Sequence, residues 1–406
     1  MRALLALYER VVEALDARAL ARAAASRAPR PLPGGKLLTL GIGKVAAELY
    51  EGARSEGEAL LAVPQDAPAP AGARVVRGSH PVPDQGSLQA GEALLSAARS
   101  AGPLDAVLLL ISGGGSALAE APHPDLSLAD VQAVNRALLA SGAPIEEMNC
   151  VRAHLSRLKG GGLARALHQA GVRRALALVA VDVPVGGTPA VSSGPASADP
   201  TTCADALALA RKYGLPGAAT RVRETLKRGD PADFVEHEAL CDLRSPAAMA
   251  SRFAPARLLE APVRGTVEAF AARLGAERGF LCASGELEVR VPPGAPAGGR
   301  DQHLALLMAR ELRGEDGAAF LAAGTDGRDG PTASAGAMVD GKTWDEAERR
   351  GLHPSQALAA FDAARVLGAL GLLIPARHTG AHAGDLYLLR REAARAVRAD
   401  GVVSRP

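Results

Sequence analysis

The sequence lacks any apolar run long enough to cross a lipid bilayer. Charged residues make up 22% of the 406-residue chain and interrupt its hydrophobic stretches, whereas a transmembrane helix needs about 20 consecutive apolar residues. The first 25 residues are rich in Leu and Ala, but Glu9, Arg10 and Glu13 break the apolar centre that a secretory signal needs. We therefore expect a globular, cytoplasmic protein with no membrane partner and an amphipathic helix in this segment.

An excess of charge of either sign is also missing. The chain has 46 basic and 44 acidic side chains and a formal net charge of +2, so it offers no strongly basic surface for nucleic acid or anionic lipid. Its four cysteines are far apart, without the paired spacing of a disulfide framework or a zinc site. We expect a small-molecule partner, no nucleic acid and reduced thiols without cysteine chemistry.

Short apolar runs that end in Gly-rich or polar loops recur along the chain, which is typical of βα units. The clearest runs span residues 37–40, 106–111, 175–183 and 317–322. A polar stretch between about 218 and 246 shows no strand signal and marks a domain boundary. The length suits two domains. We predict an α/β fold with a Rossmann-like, mostly parallel sheet in residues 1–240, a smaller α/β domain in residues 241–406, and the active site in the cleft between them.

The first candidate segment leads from an apolar run through Gly41 and Gly43 to Lys44 and into a helix predicted over residues 45–52. Glycines let the backbone approach a phosphate, and a helix N-terminus offers unpaired N–H groups. Lys44 adds a full positive charge in a chain with only six lysines. The segment is not a Walker A loop and matches the dinucleotide fingerprint only in a variant form, with Ala46 third. A plain βα turn with a solvated lysine is the alternative interpretation.

A second segment follows the most strand-like run of the chain. It consists of Ser112, Gly113, Gly114, Gly115 and Ser116. Three glycines and two hydroxyls form a nest of donors that suits an anion. A nucleophilic serine and a simple tight turn are the alternatives, although the second glycine of a nucleophile elbow is missing and no His and Asp stand in the required order.

The third segment carries two cationic side chains and one hydroxyl. Arg152, Ser156 and Lys159 are four and three residues apart, so on a helix they would share one face. This face could hold a carboxylate or a phosphate. Basic side chains near the C-terminus of a helix also offset its dipole, which is the alternative reason for the pattern.

A carboxylate ends the third apolar run. Asp182 is well placed there to hold a metal ion or act as a general base, or it simply forms a turn. The long loop that follows, residues 184–195, contains Ser193 and Gly194.

The segment with the most reactive groups spans residues 324–330 and contains Thr325, Asp326, Arg328 and Asp329. Phosphoryl transfer needs this mixture, since carboxylates hold Mg²⁺, a cation offsets the charge on the transferred group, and glycines allow close approach. The aspartate spacing and closing glutamate of an EF-hand are absent. Arg300, at a predicted helix start after two glycines, is a milder version of the same pattern.

These segments, in this order, resemble the type II glycerate kinases, the family with a C-terminal MOFRL domain. The likeness covers nearly the whole chain and rests on residues 41–44, 78–84, 112–116, 154–161, 193–195, 298–300 and 325–330. It implies a kinase that uses ATP and Mg²⁺ or another divalent cation to phosphorylate D-glycerate to 2-phosphoglycerate. It also implies that Lys44 and Arg328 are the catalytic cations, and it leaves room for a homodimer.

The remaining site predictions fall into two groups. Substrate or nucleotide binding is expected of Gly41, Gly43, Ser112, Gly113, Gly114, Gly115, Ser116, Arg152, Lys159, Ser193, Gly194, Glu286, Arg300 and Thr325, and metal binding of Asp182, Asp326 or Asp329. The chain departs from the family pattern at Val181, where a serine is usual, at Leu287 and Glu288, which replace two threonines, and at His382. These departures could shift the substrate preference.

Two other functions stay open at this point. The Gly41-x-Gly43-x-x-Ala46 pattern could cradle the pyrophosphate of a nicotinamide cofactor, so the protein could be an NAD(P)H-dependent hydroxypyruvate reductase. Against that function, hydride transfer has no use for a loop as charged as residues 325–329. The other alternative is a non-catalytic protein that binds a sugar acid or a nucleotide.

Overall fold

A computed structural model describes residues 1–182, 187–292 and 294–392, apart from the side chain of Glu260. Residues 183–186, which include the end of the third apolar run and the start of its loop, lie outside the described residues. The chain divides into two compact units. The parallel-sheet unit comprises Val12–Ser245 and Thr379–Gly384. The mixed-sheet unit comprises Met1–Val11, Pro246–His378 and the described residues from Asp385 to Glu392.

Parallel strands form the sheet of the parallel-sheet unit. They are β1 (Leu37–Ile42), β2 (Glu58–Val63), β3 (Arg74–Arg77), β4 (Ala106–Ile111), β5 (Ala175–Ala180) and β6 (Glu236–Cys241). Their order, β3-β2-β1-β4-β5-β6, is that of a Rossmann-like doubly wound sheet. The predicted fold class is confirmed. In such sheets ligands bind where the order reverses, here at the carboxyl ends of β1 and β4.

The strand β6 lies in the polar stretch of residues 218–246, so the expectation that this stretch contains no strand is wrong. It forms one edge of the sheet beside β5. Glu236 is exposed, and His237 and Glu238 are only partly buried. An edge strand with one face toward water does not need continuous apolar residues. The central strands β4 and β5 are buried along their whole length, as their apolar sequences predict.

The described residues also form helices in both units. They are α1 (Arg2–Ala14), α2 (Ala17–Ala24), α3 (Ala46–Ala53), α4 (Gln85–Ser100), α5 (Gly115–Leu118), α6 (Leu128–Ala140), α7 (Ile145–His154), α8 (Gly162–Gln169), α9 (Cys203–Lys212), α10 (Ser245–Phe253), α11 (Val267–Gly275), α12 (Arg300–Glu311), α13 (Thr343–Arg349), α14 (Pro354–Ala359) and α15 (Ala363–Ala369). The predicted N-terminal helix is thus two helices, because Asp16 caps α2 through the N–H of Ala19. No helix of the described residues combines the length and apolar character that a membrane span requires.

The mixed-sheet unit contains a second six-stranded sheet. Its strands are β7 (Arg257–Val263), β8 (Gly279–Gly285), β9 (Ala319–Gly324), β10 (Ser334–Asp340), β11 (Leu373–Pro375) and β12 (Asp385–Arg391), in the order β11-β10-β9-β12-β8-β7. β7 and β8 pair in parallel, whereas the other neighbours are antiparallel. Residues 286–291 form no strand, since β8 ends at Gly285 and a single bridge joins Glu288 to Thr266.

The helix α12 is the centre of this second core. Its residues from Asp301 to Ala309 are all buried, and a helix that is buried on every side lies inside a domain rather than on its surface. Phe320 of β9, Tyr387 of β12 and the sole tryptophan, Trp344, belong to the same apolar cluster. This packing places the first turn of α12 beside the loop that follows β9, which carries the most reactive of the candidate segments.

Candidate active site

The loops after β1 and β4 touch through their backbones at the point where the strand order reverses. The N–H of Lys44 donates to the carbonyl oxygen of Gly113 at 2.9 Å, and the N–H of Val45 donates to Oγ of Ser112 at 3.1 Å. Gly43 has a φ of 128°, and a Cβ there would lie 2.4 Å from the carbonyl oxygen of Ser112. Only glycine allows this approach. The structure therefore brings the first two candidate segments together.

The side chain of Lys44 crosses the loop after β4. A Cβ added at Gly114 would lie 3.0 Å from Cγ and 3.1 Å from Cε of Lys44. Lys44 is half-buried, so its stem packs on the loop. His80, which the site prediction missed although residues 78–84 carry the family resemblance, also comes within 3.4 Å of that position. Desolvation and the charges of Lys44 and Arg152 lower the pKa of His80, which keeps its imidazole neutral at pH 7.

The predicted metal ligand Asp182 lies against the same loop. A Cβ at Gly113 would stand 1.6 Å from Oδ2 of Asp182. Oδ1 of Asp182 is buried and has no hydrogen-bond partner among the described residues, and Nε2 of His382 is 3.7 Å from Oδ2. A buried carboxylate oxygen without a donor suits a bound cation. The preceding residue, Val181, packs in the core and supplies no hydroxyl.

Replacement of Gly113 by alanine tests the position of Asp182. The new methyl group should displace the carboxylate, and we expect the catalytic efficiency, kcat/KM, to fall by about 10- to 100-fold, the loss typical of a misplaced partner in a metal site. Steady-state kinetics measure this effect. Gly217→Ala is the matched control, since a Cβ at Gly217 meets nothing within 4 Å. Equal activity of the two variants would contradict a role for Asp182.

Hydroxyl groups extend the nest on one side. Oγ of Ser116 is 2.7 Å from Oγ of Ser193, which donates to Oδ1 of Asn149 at 2.9 Å. Ser193 and Gly194 both have positive φ values, 57° and 60°, which direct the loop toward the nest. The predicted residues Ser116, Ser193 and Gly194 therefore lie together. Asn149 of α7 was missed, because an amide in the middle of a helix gives no signal of its own in the sequence.

The prediction that Arg152, Ser156 and Lys159 share one face of a helix is wrong. Helix α7 ends at His154, and Ser156 forms an isolated bridge with Pro122. Only Arg152 of the three is helical. The backbone leaves the helix because residues 156 and 157 bond to the segment that follows α5, for instance through the N–H of Arg157 and the carbonyl oxygen of Ala121, at 2.7 Å.

Lys159 forms a buried ion pair. Its side chain is 1% exposed, and its ammonium group donates to the carboxylate of Glu120, which is 4% exposed. Burial lowers the pKa of Lys159, although the carboxylate of Glu120 offsets part of the effect. Arg152 donates from Nε to Oδ1 of Asn135 at 2.8 Å. Glu120 was missed by the sequence analysis, and ligand binding by Lys159 stays a prediction.

In the mixed-sheet unit, Arg300 begins α12 and is held by two carboxylates. Nε and Nη2 donate to the two oxygens of Asp385 at 2.6 and 3.0 Å, and Nη1 donates to Oε1 of Glu286 at 2.7 Å. Burial alone would lower the pKa of Arg300, but Asp385 and Glu286 raise it further than burial lowers it. Tyr387 donates to Asp385 at 3.1 Å. The predicted residues Arg300 and Glu286 thus form an ion pair with each other.

Asp329 caps the N-terminus of α12. Its two carboxylate oxygens accept from the N–H groups of Asp301, at 3.2 Å, and Gln302, at 2.8 Å. A Cβ at Gly299 would lie 2.0 Å from the carboxyl carbon of Asp329, so the glycine makes room for the cap. Asp329 is 2% exposed. Both oxygens of this predicted metal ligand already have backbone donors.

The rest of the loop is more open. Asp326 is half-buried, and its Oδ1 accepts from the N–H of Arg328 at 2.9 Å. The side chain of Arg328 is exposed, whereas Thr325 is fully buried. Tyr8 donates to the carbonyl oxygen of Gly324 at 2.7 Å. The loop therefore presents one carboxylate and one guanidinium group to its surroundings.

The buried acid Asp301 gives a prediction about pH. Burial and the carboxylates of Asp385 and Asp329 raise its pKa well above the usual range, and burial raises the pKa of Asp329 to about 7. A raised carboxyl pKa means that the folded state holds its proton more tightly than the unfolded state. The stability from this proton is therefore complete below about pH 4 and is lost as the pH rises toward the raised pKa of the folded state.

Asp301→Asn should remove this dependence, because an amide resembles the protonated acid but cannot ionise. We expect the stability of the variant, relative to wild type, to increase as the pH rises from 4 to 8. Urea unfolding followed by fluorescence measures it, since Trp344, the sole tryptophan, is buried in this unit's core. Asp316→Asn is the control, with a side chain that is 93% exposed. Parallel pH profiles for Asp301→Asn and wild type would refute the prediction.

Comparisons with known proteins identify the family of the chain. Residues 3–227 match the family model described as a domain of unknown function, DUF4147, and residues 279–385 match the MOFRL family model. A protein of Agrobacterium vitis, provisionally named a hydroxypyruvate reductase, is 34% identical over 385 residues, which cover 87% of each chain.

Relatives named as kinases cover most of the chain as well. D-glycerate 2-kinase of Thermotoga maritima is 35% identical over 338 residues, 77% of this chain and 79% of that protein. The crystal structure of glycerate kinase from Thermotoga maritima has a TM-score of 0.85 at 28% identity and covers 96% of this chain and 99% of that chain. The chain therefore belongs to the MOFRL-domain family of type II glycerate kinases.

Proposed function

We propose that the protein transfers the γ-phosphoryl group of ATP to D-glycerate and forms 2-phosphoglycerate. The names of the relatives support this reaction. The observation that carries the proposal is the meeting of Lys44, the nest of residues 112–116 and Asp182 at the reversal point of a Rossmann-like sheet. A cation, a set of anion-binding donors and a carboxylate in one place suit phosphoryl transfer.

The parallel-sheet unit supplies the anion site in this proposal. The N–H of Ser112 donates to the carbonyl oxygen of Ile42 at 2.9 Å, so we assign phosphate or carboxylate oxygens to the N–H groups of residues 113–115 and the hydroxyl of Ser116. Lys44 stabilises the negative charge of the transferring group. The stem of Lys44 is held on Gly114, so the ammonium group is positioned before the substrate arrives. Such preorganisation lowers the barrier because no side chain has to be reoriented in the transition state.

Of the predicted metal ligands, Asp182 is better suited than Asp329 to hold a divalent cation. The buried oxygen Oδ1 of Asp182 has no donor within the described chain, which suits a cation. Asp329 already accepts two backbone hydrogen bonds, so we propose Asp326 as the metal-binding or metal-orienting carboxylate of the second loop. A bound Mg²⁺ neutralises charge on the phosphate oxygens. A cytoplasmic location accompanies this proposal, since ATP and reduced thiols are found there.

A pair of assays tests the function. Purified protein with ATP, Mg²⁺ and D-glycerate should release ADP, which a coupled enzyme assay detects, and phosphorus NMR should show phosphate on the 2-hydroxyl group. The same preparation with NADH and hydroxypyruvate should not oxidise NADH. Oxidation of NADH without ADP release would favour the reductase, and binding of D-glycerate and ATP without either reaction would favour a non-catalytic protein.

A further inference from the structure

A group of side chains that the proposed reaction does not use surrounds the end of α7. His154, the last residue of α7, is fully buried. Its Nδ1 is 2.9 Å from the carbonyl oxygen of Cys150, so Nδ1 carries the proton and donates it there. Nε2 is then an acceptor, and it has no hydrogen-bond partner among the described residues. A buried acceptor without a donor is unfavourable unless a cation or a proton occupies the site.

Two further ligand atoms face this nitrogen. Oε1 of Glu224 is 3.5 Å from Nε2 of His154, and Cys203, at the start of α9, lies beside both. The nitrogen, the thiol sulfur and the carboxylate oxygen all lie within 4.8 Å of one another. It is the one group of three or more His, Cys, Asp or Glu side chains with this proximity in the described part of the chain. The backbone N–H of Arg223 donates to the carbonyl oxygen of His154 at 2.8 Å, which holds the segment in place.

We propose that His154, Cys203 and Glu224 form a binding site for a borderline-soft divalent cation of the zinc type. Nitrogen, sulfur and oxygen ligands together suit Zn²⁺, and three protein ligands leave a fourth position for water. Zinc bonds of about 2.0 Å to nitrogen and about 2.3 Å to sulfur require ligand atoms about 3.3–3.8 Å apart in a tetrahedral site. The group therefore needs to contract by about 1 Å, which side-chain rotation of Cys203 can supply. The ion would tie α7, α9 and the segment around residue 224 together.

The hydrogen bond from Nδ1 supports this assignment. Histidines that bind metals usually donate their other ring N–H to a carbonyl or carboxylate, which fixes the ring and exposes the free nitrogen to the ion. The carbonyl oxygen of Cys150 has this role for His154. Oδ2 of Asp199 lies 3.8 Å from Nδ1 and is also buried without a hydrogen-bond partner in the described residues, which adds negative charge near the ring.

A lysine contacts one of the proposed ligands. Nζ of Lys227 is 2.6 Å from Oε1 of Glu224 and lowers the pKa of that carboxyl to about 2, so Glu224 is ionised. Burial and Glu224 raise the pKa of the Cys203 thiol, which keeps its proton at pH 7. Binding would convert the thiol to a thiolate, form a metal–sulfur bond and release one proton to solvent. The affinity should therefore increase with pH.

Metal analysis and cobalt substitution test the site. Full-length protein treated with a chelator and then given Zn²⁺ should retain one ion per chain after gel filtration. With Co²⁺ as the probe, a thiolate-to-cobalt charge-transfer band should appear in the near ultraviolet. Cys203→Ser should abolish the band and weaken Zn²⁺ binding more than about 100-fold, beyond the loss from an outer-shell change. Cys282→Ala, which removes a buried thiol of the other unit, should keep both signals.

Substitutions of Glu224 and of its partner Lys227 should change the Zn²⁺ affinity in opposite directions. Glu224→Gln should weaken Zn²⁺ binding, whereas Lys227→Met should tighten it, since the competing ammonium group is gone. Glu224 has a side chain that is 51% exposed, so this variant should fold normally. A cobalt complex without a thiolate band, or equal Zn²⁺ affinity for wild type, Cys203→Ser and Glu224→Gln, would overturn the proposal. Neither outcome would affect the proposed kinase activity, which is measured separately with Mg²⁺.

Discussion

Lys44→Ala should lower the turnover number for phosphorylation of D-glycerate by about 10³-fold, the loss that follows when a group stabilising transition-state charge is removed. We expect this loss because the side chain of Lys44 is held in one place. The stem of Lys44 is packed on Gly114, and its backbone N–H is bound to Gly113, so the ammonium group has a fixed position beside the nest. A truncated side chain leaves that charge without a replacement. ADP release at saturating ATP and D-glycerate measures the effect.

Lys36→Ala is the matched control for this variant. Lys36 immediately precedes β1, at the amino end of the strand, and pairs with Glu58 at 2.8 Å on the surface. Exposed pairs of this kind contribute little to stability, so the control should keep wild-type turnover. Near-normal turnover of Lys44→Ala would remove the central residue from the proposed mechanism.

Arg328→Ala should lower turnover by about 10³-fold or more, since guanidinium groups that offset charge on a transferring phosphoryl group contribute 10³ to 10⁵ in related chemistry. The side chain is exposed, and the loop is held through the backbone by Asp326 and by the cap that Asp329 provides. Removal of the guanidinium group should therefore leave the thermal unfolding midpoint unchanged. Kinetics and thermal unfolding, measured together, separate lost catalysis from lost structure.

Arg349→Ala is the control for Arg328, because its side chain is 72% exposed and pairs only with a residue of its own helix among the described contacts. The double variant of Lys44 and Arg328 adds a second test. If both cations act on the same transferring group, the double variant should lose less activity than the product of the two single losses. Fully multiplicative losses would mean that the two residues serve different steps.

The parts of the fold that the sequence predicts are those with strong local patterns. The buried strands β4 and β5 are continuous apolar runs, and the Gly-x-Gly turn after β1 is where a backbone approach requires glycine. The edge strand β6 was missed because its exposed face has a loop-like composition. The helical face at residues 152–159 was wrong because tertiary hydrogen bonds to the segment after α5 end α7 early.

Pairs of residues that are distant in the chain explain most of what the site prediction missed. Asp329 has the sequence context of a metal ligand, yet its carboxylate caps a helix that begins 29 residues earlier. The partner of Lys159 is Glu120, 39 residues away. No spacing rule connects such positions, since loop conformation and not helical or strand periodicity brings them together. The same holds for His154, Cys203 and Glu224, which have no metal-binding spacing in the sequence.

The assignment of residues 379–384 to the parallel-sheet unit affects the order in which the protein can fold during synthesis. The carbonyl oxygen of Gly380 accepts from the N–H of Ala17 at 2.9 Å, and His382 lies beside Asp182. A ribosome makes all the strands of the parallel sheet, from β1 to β6, before this segment exists. The nascent N-terminal sheet can therefore form early, but the surroundings of Asp182 are completed only after residues 379–384 have been made, so ATP turnover should begin only once this segment has left the ribosome.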